Sequence, residues 1–381
     1  MTIAQFIKQQ ANISEKQIAA VLSLIQEGAT TPFISRYRKE ATGGLDEVEI
    51  GVIRESAQQF EQISKRQETI LKAIEEQEQL TPELKSQIET TFDLNVLEDL
   101  YLPYKKKRQT RAEKARKNGL EGLAKILMAQ NNQDVVANAE RFVKGDIKST
   151  DDALQGARDI IAEWVNENTA LRSKIRSMYQ KNGMLQSKVV GTKKDDASKY
   201  KDYFDFSQVL HKCPSYRFLA MHRASDEGLL RIKVVVDEER VFQLCERFFI
   251  KSNNDASEQV RIAYEDAYKR LIHPSMENEA LSEKKKEADV SAIKVFADNL
   301  RQLLLAAPLG KKRILAIDPG YRSGCKVVCL DESGDLLTNE MIYPHPPQKE
   351  MSRAMSKIGQ LVQAYNVEAI AIGNGTASRE T

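Results

Sequence analysis

Residues 314–330 read ILAIDPGYRSGCKVVCL, and this stretch decides how the C-terminal part of the chain folds. A short apolar run ends at Asp318, a turn follows through Pro319 and Gly320, and a second apolar run extends over residues 325–330. The polar turn at residues 331–335 then leads into a third run. Apolar runs of this length, separated by turn residues, predict two consecutive β-hairpins.

The carboxylate of Asp318 stands where the first predicted strand ends. Such a carboxylate can hold a divalent metal against a phosphodiester, as ribonuclease-H-like nucleases do at the start of their sheet. Two-metal cleavage needs several carboxylates around cations about 4 Å apart. Asp331 and Asp335 flank the far turn, and the apolar run at residues 368–372 ends in Gly373-Asn374-Gly375 instead of an acid. The residues favour a turn-forming or backbone-binding Asp318, with a metal-dependent nuclease as the alternative.

Length and composition indicate a large globular protein whose net charge identifies no partner. A chain of 381 residues suggests about two to four domains. With 41% hydrophobic and 29% charged residues it can fill cores and solvate its surface, and its formal net charge is only +2.

Cysteine and histidine usage predicts neither a metal site nor disulfides. The four cysteines lack metal-ligand spacing and indicate reduced core residues, and the four histidines form no zinc motif. The N-terminus lacks a signal-peptide pattern, and no apolar run approaches about 18 residues. We therefore expect a soluble, cytoplasmic protein without cofactor, metal or membrane association.

The first half of the chain is predicted to be helical. Ser14 and Gln17 fit a capping box, and residues 150–182 have the apolar stripe of one helix that ends at Gly183. After Gly191 the pattern becomes mixed α/β. A helix over residues 257–272 is expected to stop before Pro274, ahead of a long charged helix over residues 278–305.

Two clusters of basic residues are candidate nucleic-acid contacts. One is Arg36-Tyr37-Arg38-Lys39, in which arginine and tyrosine could stack on and pair with a polynucleotide, or equally could fix a helix to its linker. The other contains eight basic residues offset only by Glu113, and it could neutralise phosphates or could pair with acids such as Glu98 and Asp99. Its members are Lys105, Lys106, Lys107, Arg108, Arg111, Lys114, Arg116 and Lys117.

Six segments together resemble the bacterial Tex family of transcription accessory proteins over essentially the whole chain. They are TPFISRYRKEATGGLDE (31–47), LEDLYLPYKKKRQTRA (97–112), HPSMENE (273–279), AIKVFADNLRQLLLAAP (292–308), ILAIDPGYRSGCK (314–326) and AIAIGNGTASRET (369–381). The resemblance implies a helical N-terminal region and a central ribonuclease-H-like domain of the YqgF type. It also implies helix-hairpin-helix elements and an S1 domain that provides most nucleic-acid binding.

The resemblance also implies that this sequence ends inside the YqgF-type domain, as a fragment without the helix-hairpin-helix and S1 parts. Asp318 corresponds to the first catalytic carboxylate of the resolvases whose fold this domain resembles. The second carboxylate is replaced by the Gly373-Asn374 region, and the others would lie beyond Thr381. Asp318 is therefore a vestigial candidate, and nuclease activity is not expected.

These observations predict a mainly α protein with α/β parts: a multi-helical N-terminal region, a mixed α/β segment and an incomplete ribonuclease-H-like domain. The expected boundaries are residues 1–190, 191–309 and 310–381. The expected function is non-catalytic binding of RNA, with DNA as a second candidate, in association with the transcription machinery. The expected contacts are Arg36, Tyr37, Arg38, Lys39, Lys105, Lys106, Lys107, Arg108, Arg111 and Lys114. A metal-dependent nuclease that uses Asp318 and a protein-interaction scaffold are the alternatives.

Overall fold

The chain folds as two compact units, Met1–Ile293 and Lys294–Thr381. The computed structural model describes residues 1–105, 110–131, 134–321 and 323–381. Helices dominate the first unit, which also contains a small sheet, and the second unit is built on another small sheet. The predicted class, mainly α with α/β parts, is confirmed.

The N-terminal part of the first unit is a set of helices around two apolar clusters. Capping boxes begin α2, where Ser14 and Gln17 bond each other's backbone as predicted, and α5, where Asp46 and Glu49 do the same. The apolar faces of these helices pack together because one stripe of each is hydrophobic. The helices are α1 (Ile3–Lys8), α2 (Glu15–Gln26), α3 (Thr31–Tyr37), α4 (Lys39–Thr42), α5 (Glu47–Glu75), α6 (Pro82–Thr90) and α7 (Leu94–Tyr101).

The prediction of a single helix over residues 150–182 is wrong, because these residues form two helices. The second of these begins after Asn168, whose side-chain oxygen accepts the backbone N–H of Leu171 at 2.9 Å. An asparagine that bonds the backbone in this way starts a new helix, and the continuous apolar stripe concealed the break. The helices are α8 (Arg111–Lys117), α9 (Glu121–Ala129), α10 (Val135–Glu140), α11 (Thr150–Asn166) and α12 (Thr169–Asn182).

A three-stranded antiparallel sheet follows, with strand order β2-β1-β3. One face of it, which includes Leu185 and Val234, joins a large core that extends from Ala112 to Ala288. The strands and the helices that accompany them are β1 (Met184–Val189), β2 (Asp205–Val209), α13 (Ser215–Asp226), β3 (Leu230–Val235), α14 (Glu238–Phe249) and α15 (Asp255–Ala267).

The prediction of a helix end before Pro274 is wrong. A π-helical turn at Tyr268–Ile272 connects α15 directly to the long helix α16, His273–Leu304. Pro274 lies directly after the π turn, where the hydrogen-bond spacing of the backbone changes, and the helix continues through this residue although it has no N–H to donate.

A buried network of charges fixes α7 to α12 and α16. The two carboxylate oxygens of Asp99 accept N–H groups from Arg172 at 2.5 Å and Arg176 at 2.7 Å. Arg176 also pairs with Glu279, and Arg172 donates to Ser275 at 2.9 Å. Burial raises the pKa of the Glu279 carboxyl, while the guanidinium of Arg176 opposes that rise.

The second unit contains the hairpins that residues 314–343 predict. Strand order is β6-β5-β4-β7, antiparallel except for β7, which runs parallel to β4 after the helix. Helix α17 covers the face that carries Leu315, Cys325 and Cys329. The elements are β4 (Ile314–Asp318), β5 (Cys325–Leu330), β6 (Leu336–Ile342), α17 (Met351–Ala364) and β7 (Ala369–Ile372). Among the described residues, no helix has the length and apolar character that crossing a bilayer requires.

Candidate nucleic-acid interface

The first candidate contact is the N-terminal cluster, defined as Arg36, Tyr37, Arg38 and Lys39. Its position follows from α3, where Ile34 and Ser35 face the core and the residues after them point to solvent. Arg38 lies outside the ideal helical region, and α4 begins at the next residue. All four side chains of the cluster are exposed.

An aromatic pair supports the N-terminal cluster. The ring of Tyr37, which is 67% exposed, lies 5.4 Å from the ring of Phe33 between centroids, and the guanidinium of Arg38 lies 5.0 Å from the Phe33 centroid. Rings and a guanidinium in contact form a platform on which a base can stack. Sequence reasoning missed Phe33, although its i, i+4 spacing from Tyr37 was a usable signal.

The cations of this cluster are weakly neutralised. Arg36 approaches Glu47 at 3.9 Å, with both side chains largely exposed. Within the described residues, neither Arg38 nor Lys39 forms an ion pair with an acid. Exposed pairs of this length contribute little, so the cluster keeps most of its positive charge.

The second candidate contact is the 105–117 cluster, of which the structure describes only part. Lys106, Lys107 and Arg108 lie outside the described residues. Helix α8 begins after Thr110, whose hydroxyl accepts the N–H of Glu113 at 3.0 Å. The described side chains of Lys105, Arg111 and Lys114 are exposed.

Acidic neighbours compensate part of the 105–117 cluster among the described residues. Arg116 pairs with Glu163, and Lys117 pairs with Glu113 at 3.1 Å. Arg111 and Lys114 line a groove that also contains three acids, Asp146, Asp152 and Asp159. Burial raises the pKa of Asp159, while the cations of Arg270 and Arg111 oppose that rise.

Among the described residues, the acids that the sequence suggested as partners of the 105–117 cluster pair with arginines outside it. Glu98 accepts from Arg66 at 2.6 Å, and Asp99 belongs to the buried network with Arg172 and Arg176. The acids that do compensate the cluster include Glu163, which lies far away in the sequence.

Asp318 is the last residue of β4, and its side chain is exposed. Ile317 pairs with Ile372 of the parallel strand β7, so Gly373 is the residue beside Asp318 at the adjacent strand end. Asp318 is opposite Lys326, which places Asp331, the residue after the end of β5, about 16 Å away along the strand direction. The described residues contain no group of three or more histidines, cysteines or acids that could hold a metal ion.

A ribonuclease-H-like sheet begins with the same strand order as the second unit. Asp318 lies at the end of the first strand of this order. By its fold, the chain is a mainly helical protein of two compact units, the second of which is ribonuclease-H-like. Comparison with known families agrees. Residues 1–75 match the Tex-like protein N-terminal domain, residues 116–296 the Tex central region and residues 312–381 the Tex protein YqgF-like domain.

Similarity to individual proteins covers the whole chain. The chain is 38% identical to the transcriptional accessory protein Tex of Neisseria gonorrhoeae, over 100% of this chain and 51% of that protein. It is 38% identical to the protein tex of Bordetella pertussis, over 96% of this chain and 48% of that protein. It is 28% identical to human S1 RNA-binding domain-containing protein 1, over 100% of this chain and 39% of that protein.

The chain belongs to the Tex family, as its sequence motifs indicated. It spans about half the length of the bacterial relatives that it matches.

Proposed function

We propose that the chain is a non-catalytic, nucleic-acid-binding part of a transcription accessory protein. RNA is the first candidate ligand, DNA is the second, and the transcription machinery is the proposed setting in the cytoplasm. In this proposal residues 1–190 carry the basic clusters, residues 191–309 carry the sheet and the long helix, and residues 310–381 carry the ribonuclease-H-like segment. The names of the relatives, which refer to transcription and to RNA binding, support this assignment.

The observation that supports binding most directly is the N-terminal cluster. An exposed tyrosine ring, a guanidinium stacked on Phe33 and two further cations lie together in one helix-to-helix turn. Cations contact phosphates and rings contact bases, and neither contact depends on sequence. The 105–117 cluster contributes less in this proposal, because acids offset part of its charge.

Titrating labelled single-stranded RNA with protein at two salt concentrations tests this assignment. Single-strand binding has a salt slope of about −0.7 per phosphate contact, so the variant R36Q/R38Q/K39Q should flatten the slope of log affinity against log salt by about 2. Tyr37→Ser should weaken binding by about 1–3 kcal/mol, the usual loss of one stacked base.

The matched control is R141Q/K144Q/K148Q, which removes one arginine and two lysines from another exposed surface. It should leave the slope unchanged. Equal effects of the two triple variants, or no RNA binding by the unaltered protein, would contradict the assignment to the N-terminal cluster.

The proposal that the chain is non-catalytic is supported by the surroundings of Asp318. The neighbouring strand end offers Gly373, which has no side chain, and Asp331, the acid that follows β5, is about 16 Å away. Strand scission by the pure protein that Mg²⁺ or Mn²⁺ stimulates, and that Asp318→Asn abolishes, would establish the nuclease instead.

A protein-interaction scaffold is the second candidate function, and the C-terminal half of α16 favours it. Ile293, Phe296, Leu300 and Leu303 recur at helical spacing and are exposed, Phe296 by 67%. Exposed apolar rows of this kind mark interaction sites. If Phe296→Ser and Leu303→Ser together abolish co-purification with RNA polymerase while RNA affinity is unchanged, the scaffold is favoured.

A further inference from the structure

The solvent-facing side of the sheet β2-β1-β3 carries a second set of unpaired cations. The side chains of Lys188 on β1 and of Arg231 and Lys233 on β3 share this face, because strand residues alternate between faces. All three are exposed, and within the described chain none of them forms an ion pair. The sequence analysis assigned them no role.

This arrangement costs stability. Lys188 lies directly opposite Arg231, and Gln186 lies opposite Lys233. Like charges that face each other across two strands are destabilising. Asp205, opposite Lys188 on the other side, does not come within ion-pair distance. An anion bound between the strands would relieve this repulsion.

The three cations line a groove with a volume of about 880 Å³. Gly191, Thr192 and Ser225 add small and hydroxyl groups, and Leu230 and Ile232 add apolar surface. Its lone carboxylate, Glu277, is already engaged: one oxygen accepts the N–H of Val234 at 3.0 Å, and the other lies 3.8 Å from His273. The groove therefore presents net positive charge to solvent.

We infer that this groove binds the phosphate backbone of a single-stranded polynucleotide through Lys188, Arg231 and Lys233, an inference that rests on the proposed function. Arg231 and Lys233 are two residues apart on one strand, about 6.6 Å, which is comparable to the separation of adjacent phosphates in an extended strand. A groove of this volume holds a ligand the size of about two or three nucleotides. The three cations would contact phosphates, and phosphate contacts are independent of sequence.

The test uses the full chain and an oligouridylate of about 12 nucleotides, within the usual site sizes of single-strand binders. Three phosphate contacts correspond to a salt slope of about −2, so they account for an affinity loss of about 20-fold between about 50 and 200 mM salt. The variant K188Q/R231Q/K233Q should remove that component. The variant K188R/R231K/K233R keeps the charge and should retain it, and the control R141Q/K144Q/K148Q should behave as the unaltered protein does.

The possible outcomes separate this inference from the proposed function. If the Gln variant of the sheet binds as the unaltered protein does, while R36Q/R38Q/K39Q binds less, the sheet surface is refuted and the proposed function stands. If the unaltered protein does not bind the oligouridylate, both fail.

Competitors separate the sources of the anion. Uridine monophosphate and unlabelled oligouridylate are compared as competitors at the same total phosphate concentration. If they displace the labelled oligouridylate equally, the groove is a small-anion site and the inference is refuted. Equal displacement by polyglutamate would refute it in favour of an acidic polypeptide. The inference is supported if both competitors displace the oligouridylate weakly and if the variant K188Q/R231Q/K233Q loses the salt-dependent part of oligouridylate binding.

Discussion

Removing the carboxylate of Asp99 should strongly destabilise the first unit. Its side chain is 4% exposed and pairs with Arg172 and Arg176, whose side chains are 6% and 10% exposed. After Asp99→Ala, Arg176 still has Glu279, but the partners that Arg172 keeps among the described residues are uncharged, Asn166 at 3.0 Å and Ser275 at 2.9 Å. One buried cation is then left without a counterion, which costs about 3–5 kcal/mol.

Urea denaturation followed by the fluorescence of Trp164 measures this loss. Trp164 is the chain's single tryptophan and packs against the large core of the first unit, so the signal reports that unit. With a denaturant slope of about 3 kcal/mol/M, the midpoint should fall by about 1–1.7 M. The control is Asp289→Ala, which breaks an exposed pair with Lys285 and should cost at most about 1 kcal/mol.

The double variant Asp99→Ala, Arg172→Met sharpens the test. Removing both partners of a buried pair is often nearly neutral, so the double variant should be more stable than Asp99→Ala alone. The assigned charge network is wrong if Asp99→Ala lowers the free energy of unfolding no more than Asp289→Ala does. It is also wrong if adding Arg172→Met to Asp99→Ala lowers that free energy further by the full cost of a buried pair.

Three further predictions concern other parts of the chain. The pKa of Asp331 lies below its ordinary value because the backbone N–H groups of residues 335 and 333 donate to its carboxylate. The ionised carboxylate therefore stabilises the folded chain above pH 3.8, and this contribution is lost as the pH falls through the lowered pKa. Asp331→Asn should therefore reduce the fall in melting temperature on acidification, and an unchanged acid limb would contradict this. All four cysteines are buried and free, and burial raises the pKa of Cys245 to about 12, so a thiol reagent at pH 8 should react with none of them until urea unfolds the chain. Asn168→Ala should cost about 1 kcal/mol in urea denaturation by removing the cap of α12, whereas Asn168→Asp should cost less.

Sequence reasoning succeeded where the signal is local. The capping box of α2 and the two hairpins after residue 314 depend on residues within a few positions of one another. It failed at Asn168, where the apolar stripe is continuous although one helix ends and another begins. It also failed at Pro274, where a proline predicted a helix end although the π turn lets the helix continue. The assignment of nucleic-acid contacts to the two basic clusters stays a prediction.

The sequence by itself determined the family, the mainly helical class and the hairpins that begin the ribonuclease-H-like segment, because caps, turns and apolar periodicity are properties of short stretches. Only the tertiary structure decided which charges are neutralised. Arg116 meets Glu163, Asp99 meets Arg172, and Lys188 faces Arg231, neither of which forms an ion pair with an acid of the described chain. These partners are far apart in the chain, and the free energy of a charge depends on what folding brings within a few ångströms of it.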